Sequence, residues 1–243
     1  MKTFLSWLYQ VYAWLFLIPF AFLWSFLCGW LAMITAMLIS QRFASQRVGG
    51  VWARVIGYLT PMFVSREGLE HIDPKQTYVV VCNHVSQYDI LLVYGWLGID
   101  LRWVMKQELR KLPGLGAGCE KVGHIFVDRS NPEAARAAIN EALERIGDGV
   151  GILFFPEGTR SRDGRLQPFK KGAFRMAVEQ GLPVLPLTLL GTGDILPKGT
   201  LFVTPGRAKI VVHEAINPAG HDARSLMEAS RAAIASALPP ELR

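Results

Sequence analysis

Two short stretches hold the residues best suited to chemistry. In Asn83-His84-Val85-Ser86-Gln87-Tyr88-Asp89, a histidine precedes a carboxylate by five positions. The stretch lies between a β-branched run, Tyr78-Val79-Val80-Val81, and an apolar segment from Ile90 to Leu97. That order predicts a strand-to-helix turn, where side chains are held by a rigid scaffold yet stay accessible. If Asp89 fixes the proton on one ring nitrogen of His84, the other nitrogen can take a proton from a hydroxyl. The same residues could instead only cap the next helix. The second stretch, Phe155-Pro156-Glu157-Gly158-Thr159-Arg160-Ser161, ends an apolar strand in a polar turn. Arg160 can grip a phosphate or carboxylate with two parallel hydrogen bonds. Gly158 allows close backbone approach to a ligand, and Glu157 can accept from a substrate hydroxyl or orient Arg160. Taken alone, this stretch could be a salt-bridged loop.

A third stretch joins them: Lys106-Gln107-Glu108-Leu109, then Pro113, then Gly123 through Asp128-Arg129. It adds positive charge at strand ends, where open α/β sheets bind their ligands. No G-x-S-x-G elbow occurs, so Ser86 is not expected to be a nucleophile, and a substrate hydroxyl is expected to attack directly. His124, four residues before Asp128, alternates into a strand and is expected to be structural. His71, His213 and His221 receive no role.

These residues need a scaffold. Strands are predicted over 78–82, 102–105, 124–127, 151–155, 184–190 and 207–213. Helices are predicted over 87–97, 170–180 and 222–238, and from Asn131 as N-cap, with Pro132 and Glu133 in the first turn, to Gly147. The alternation implies a layered α/β domain over 62–243, with a mixed or mainly parallel sheet flanked by helices. Residues 1–61 read differently. No charged residue lies between Lys2 and Arg42, and a continuous helix over 3–41 would be about 58 Å long, nearly twice a bilayer's hydrocarbon core. Either one long tilted helix or a hairpin broken at Pro19 or Cys28-Gly29 is expected, anchoring the domain to a membrane. Trp7, Trp14, Trp24 and Trp30 suit the bilayer interface, and Arg42, Arg47 and Arg54 put the downstream side in the cytoplasm. Residues 43–62 read as a basic connector interrupted by Gly49-Gly50.

The net charge is +6, from 26 Lys/Arg against 20 Asp/Glu. Between Arg102 and Arg175 there are 14 basic and 9 acidic residues, so most of the excess sits in the middle third. Such a field favours phosphate groups, anionic headgroups or an acidic protein. No nucleic-acid-binding signature accompanies it. The three cysteines, Cys28, Cys82 and Cys119, lack CxxC spacing and are expected to be reduced and structural. No metal-ligand spacing is present.

Four ordered blocks resemble the glycerolipid acyltransferases, above all the 1-acylglycerol-3-phosphate acyltransferases. They are Asn83-His84-x4-Asp89; Lys106-x-Glu108-Leu109 through Asp128-Arg129; Phe155 through Ser161; and Leu182-Pro183-Val184-Leu185-Pro186-Leu187. The resemblance implies transfer of a fatty acyl group from acyl-CoA or acyl carrier protein to the sn-2 hydroxyl of lysophosphatidic acid, without a cofactor, at the cytoplasmic face of the inner membrane. It implies His84 as base, Asp89 as its partner, and Glu157, Gly158, Thr159 and Arg160 as the glycerophosphate loop. Lys106 and Arg129 would help hold the phosphate, and Pro186 would shape the site. Another lysolipid, an acylated amino-acid lipid or glycerol 3-phosphate could replace the acceptor. A lipid hydrolase or a non-catalytic phospholipid-binding protein are the alternatives of other classes.

Overall fold

The structure, a computed structural model, describes residues 2–128 and 130–243. Seven strands form one sheet: β1 (Met62–Glu67), β2 (Tyr78–Cys82), β3 (Asp100–Lys106), β4 (Ile125–Val127), β5 (Val150–Phe154), β6 (Val184–Leu190) and β7 (Gly206–Val212). Their spatial order is β1-β7-β6-β2-β5-β3-β4. All neighbours are parallel except β6 and β7. The expected mixed, mainly parallel sheet is therefore present, and the six expected strands lie within two residues of their predicted bounds. β1 is an addition to them: its apolar run is only Met62-Phe63-Val64, and its polar Ser65-Arg66-Glu67 end suits an edge strand.

β2 is buried along its whole length, as a strand covered on both faces must be. Val79 and Val81 point into one core with Ile152, Phe174 and Leu226, while Val80 and Cys82 point into the other with Leu92, Leu153 and Leu187. Helix Tyr88–Trp96 belongs to the second core, and helices Gly172–Gln180 and Ala223–Ser236 to the first. Five strands, β2 to β6, run the same way. Their carboxyl ends share one edge, and the turns carrying His84, Lys106 and the Glu157–Arg160 segment all leave from it.

Of the two expected readings of the amino-terminal segment the long helix is the one present, unbroken at Pro19 and Cys28-Gly29, and a second helix follows it. The first helix runs unbroken over Leu5–Leu38, about 51 Å at 1.5 Å per residue. Pro19 follows a wide turn over Ala13–Leu17, in which the Ile18 amide donates to the Ala13 carbonyl. That wider turn accommodates the missing proline N–H without stopping the helix. Gly29 is a packing glycine: a Cβ there would lie 2.8 Å from the Gly114 backbone, where helix Leu115–Val122 crosses. The reversal comes at Ile39-Ser40, where the Ser40 hydroxyl caps the next helix by accepting from the Phe43 amide. Residues 41–59 are helical straight through Gly49-Gly50, so the basic connector is the hairpin's second arm. Ala13, Leu17, Ala53 and Ile56 from the two arms join the domain's own core. The outward face stays apolar, with Leu15, Phe22 and Leu38 exposed.

Candidate active site

β2 delivers Asn83 and His84 to the sheet edge, and the start of helix Tyr88–Trp96 delivers Asp89. The Asn83 amide fixes the exit of the strand. It donates to the Leu189 carbonyl at 2.9 Å and accepts from the Leu189 amide at 2.8 Å, tying β2 to β6 beneath the turn. Asp89 is fully buried. Its Oδ2 lies 2.8 Å from His84 Nδ1 and also accepts from the Val85 and Ser86 amides. Its Oδ1 accepts from the Thr192 hydroxyl. A carboxylate ringed by donors makes Nδ1 the protonated ring nitrogen, which leaves Nε2 as the acceptor. The imidazole also stacks on Phe155, with ring centroids 3.8 Å apart.

The polar turn after β5 is locked to this histidine through backbone bonds. Glu157 is buried. One carboxylate oxygen accepts from the His84 amide at 2.6 Å and the other from the Gln167 amide at 3.1 Å. The Ser161 amide in turn donates to the His84 carbonyl at 2.7 Å. Glu157 therefore faces inward and holds the two turns together, both of its oxygens engaged by backbone amides. Burial pushes its carboxyl up to about 7, against the opposing pull of the two amide hydrogen bonds. Gly158 has φ 76°, a left-handed conformation that favours glycine; a Cβ there would lie 2.9 Å from the movable end of the Lys170 side chain. Thr159 is exposed and Arg160 partly so. Lys106 stands half-exposed at the end of β3, paired with Glu108 at 3.2 Å. Arg129 lies outside the described residues. Pro186 lies within β6, where its carbonyl accepts from the His213 amide.

Ser86 is buried, donates to the Leu196 carbonyl and accepts from the Tyr88 amide; it braces the turn. His124 is structural, as expected. Its Nδ1 accepts from the Trp103 amide at 3.2 Å, and burial drives its pKa down to about 3, so it stays neutral. Among the described residues, no three His, Cys, Asp or Glu side chains are grouped as a metal site would need.

Two cavities adjoin the turns. One, of about 480 Å³, is lined largely by apolar side chains, including Leu17, Phe22, Trp52, Leu91 and Met105. The other, a recess of about 540 Å³, is lined by Trp14, Gln87, Arg160, Leu196 and Leu201 among others. His84 lines neither, but Gln87, three residues on, lines both.

A family profile described as Acyltransferase matches residues 63–190. A 1-acyl-sn-glycerol-3-phosphate acyltransferase from Chlamydomonas reinhardtii is 34% identical over 233 residues, covering 91% of this chain and 69% of that protein. The chain belongs to the acyltransferase family. A chloroplastic 1-acyl-sn-glycerol-3-phosphate acyltransferase of Arabidopsis thaliana is also 34% identical, over 79% of this chain and 53% of its own length. The crystal structure of the 1-acyl-sn-glycerophosphate acyltransferase PlsC from Thermotoga maritima superimposes with a TM-score of 0.79 at 27% identity, covering 97% of both chains. Within this acyltransferase, sequence alone assigns nothing to Thr192, Gln167 or Lys198, nor to Phe155 as a stacking partner. Thr192 follows Gly191, whose φ of 78° turns the chain after β6; a Gly-Thr pair after a strand carries no signal of a contact made 103 residues away.

Proposed function

We propose that this acyltransferase moves a fatty acyl group from a thioester to the sn-2 hydroxyl of lysophosphatidic acid, forming phosphatidic acid at the cytoplasmic face of a membrane. The observation that carries this reading is the His84–Asp89 pair, whose free nitrogen lies beside a turn bearing an arginine without a carboxylate partner. Among the described residues, no carboxylate lies within 4 Å of the Arg160 guanidinium. Nε2 of His84 takes the proton of the acceptor hydroxyl as its oxygen attacks the thioester carbonyl. Asp89 stabilises the imidazolium as it forms. Collapse of the tetrahedral intermediate expels the thiolate, which recovers the proton from His84. Arg160, with Lys106 and Arg129, neutralises the acceptor phosphate and sets its distance from His84, so that binding becomes orientation. The apolar cavity takes an acyl chain; its volume lies within the roughly 300–1,000 Å³ usual for ligand pockets. The names of the relatives and the long apolar helix support the acceptor and the membrane.

The test is transfer of labelled acyl groups from acyl-CoA and from acyl carrier protein to lysophosphatidic acid, in vesicles, by wild type and His84→Ala. A loss of at least ~10²-fold in the variant is expected, and the same data give the donor. Equal turnover by the two proteins would make His84 structural and end this mechanism.

A further inference from the structure

The segment between the short helix Thr192–Ile195 and β7 is an ordered strap that supplies no partner to the His84–Asp89 pair. At its neck the Thr204 amide donates to the Ile195 carbonyl at 2.9 Å, and the Thr204 hydroxyl to the Asp194 carbonyl at 2.7 Å. Its turn closes through Thr200, whose amide and hydroxyl both donate to the Pro197 carbonyl. At the tip of this braced loop stand two large apolar side chains, Leu201 at 53% exposure and Phe202 at 48%. Two adjacent large apolar side chains held exposed at a braced loop tip mark an interaction surface.

Three observations identify that surface. First, the strap is continuous with the long apolar helix. Gln10 donates to the Val203 carbonyl at 2.7 Å, and Trp14 and Leu201 line the same recess. Second, its base is cationic. The Lys198 ammonium donates to the Arg160 carbonyl and lies 3.3 Å from the Thr159 hydroxyl. Among the described residues no carboxylate lies within 4 Å of it, so Lys198 and Arg160 form neighbouring charges on one rim without a counter-anion. Third, Leu196 and Leu201 line both the apolar cavity and the recess, which makes the strap their shared wall. Apolar tips above a basic base match the boundary between acyl chains and anionic headgroups.

We propose that the strap over residues 196–203 is a second membrane contact, with Leu201 and Phe202 seated in the headgroup–acyl boundary and Lys198 at the level of the lipid phosphates. It would form, with Trp14, the lip across which the acceptor passes from the bilayer to His84. This rests on the membrane-bound lysolipid acyltransferase reading above.

The full chain, reconstituted in phosphatidylglycerol-containing vesicles, carries an environment-sensitive fluorophore on Phe202→Cys. Lys75→Cys, on the exposed turn before β2, serves as the aqueous reference, and labelled wild type as the blank for the native cysteines. Lipids with a nitroxide high on the acyl chain should quench the probe at 202 strongly and the probe at 75 weakly. Equal quenching at the two positions overturns the proposal. This readout needs no turnover, so it stands even if wild type acylates no lysophosphatidic acid, which would refute the reaction instead. With an active enzyme, Phe202→Glu should raise KM for a vesicle-borne long-chain acceptor by ~10-fold. It should leave kcat/KM for a short-chain acceptor dissolved as monomers within about 2-fold. Equal slowing of both acceptors would assign the strap to folding or chemistry and also overturn the proposal.

Discussion

The His84 cluster and the cationic rim differ in how completely their polar groups are satisfied. Around His84, both oxygens of Asp89 and both of Glu157 are taken, three of the donors being backbone amides of the His84–Ser86 turn. Asn83 and Ser86 are also fully engaged with backbone. At the rim, Lys106 has one exposed partner, and Arg160 and Lys198 have no carboxylate partner among the described residues. A proton-transferring group needs one geometry, and buried hydrogen bonds provide it because leaving any of them unmade costs about 1–3 kcal/mol. A group that receives a phosphate needs its charge free until the ligand arrives. On the proposed mechanism the same sheet edge carries a rigid part and a receptive part, and changes in the two should fail differently.

The largest effect should come from Asp89→Asn. The neutral amide no longer stabilises the imidazolium as it forms, and one of its two terminal atoms is a donor where Asp89 accepts. We expect kcat to fall by ~10²–10⁴-fold with KM little altered. A change confined to KM would show that Asp89 is not part of the rigid half. Arg160→Gln should behave oppositely, raising KM for lysophosphatidic acid by ~10–10²-fold through loss of a charge-assisted contact. An acceptor lacking phosphate should be used equally by wild type and this variant; if it discriminates between them, Arg160 does not read the phosphate.

How much of each half is legible in sequence follows from the range of its interactions. The His84–Asp89 pair is local, both residues lying on one strand-to-helix turn, so residue type and spacing suffice. The parallel sheet is legible because β2, β5 and β6 are short apolar runs between turn residues. Helix Pro132–Leu143 is legible from its cap, the Asn131 side chain accepting from the Ala134 amide. Thr192 and Lys198 are not, since each meets its partner only after the chain has crossed the sheet again; Gln167 meets Glu157 ten residues away inside the loop after β5, an irregular segment with no periodicity to signal the contact. For Glu157 the turn is legible but its burial is not, because sequence does not say which side of a turn is buried. Gly29 reads as a helix breaker for a similar reason: its purpose is the close passage of Gly114 and Gly118.

Thr192→Val tests the most distant support of the rigid half. The substitution keeps shape and removes one donor to a buried carboxylate, so it should destabilise the fold by about 1–3 kcal/mol and lower kcat by roughly 10-fold, measured by denaturant unfolding and turnover. Unchanged values for both would mean that the two turn amides and His84 suffice to hold Asp89.

The smallest effect on turnover, and the sharpest on what balances the site, concerns Glu157. Burial favours its protonated form and the two backbone amides favour its carboxylate; a pKa of about 7 means that burial prevails. Its pKa is then higher folded than unfolded, and the folded chain keeps a proton that the unfolded chain releases above the ordinary carboxylate range. Stability from this group must therefore fall as pH rises from about 4.5 to 7, and level off beyond. Glu157→Gln cannot titrate, so the difference in Tm between wild type and variant isolates the effect from every other group. Between pH 5 and 7.5, wild type should lose ~5 °C relative to the variant. Parallel curves would mean that the amides prevail and Glu157 is ionised throughout, making the bond to the His84 amide fully charge-assisted. In that case the tie between the two turns would be as strongly ionic as the contacts of Asp89, and the rigid half would extend through Glu157 to the base of Arg160.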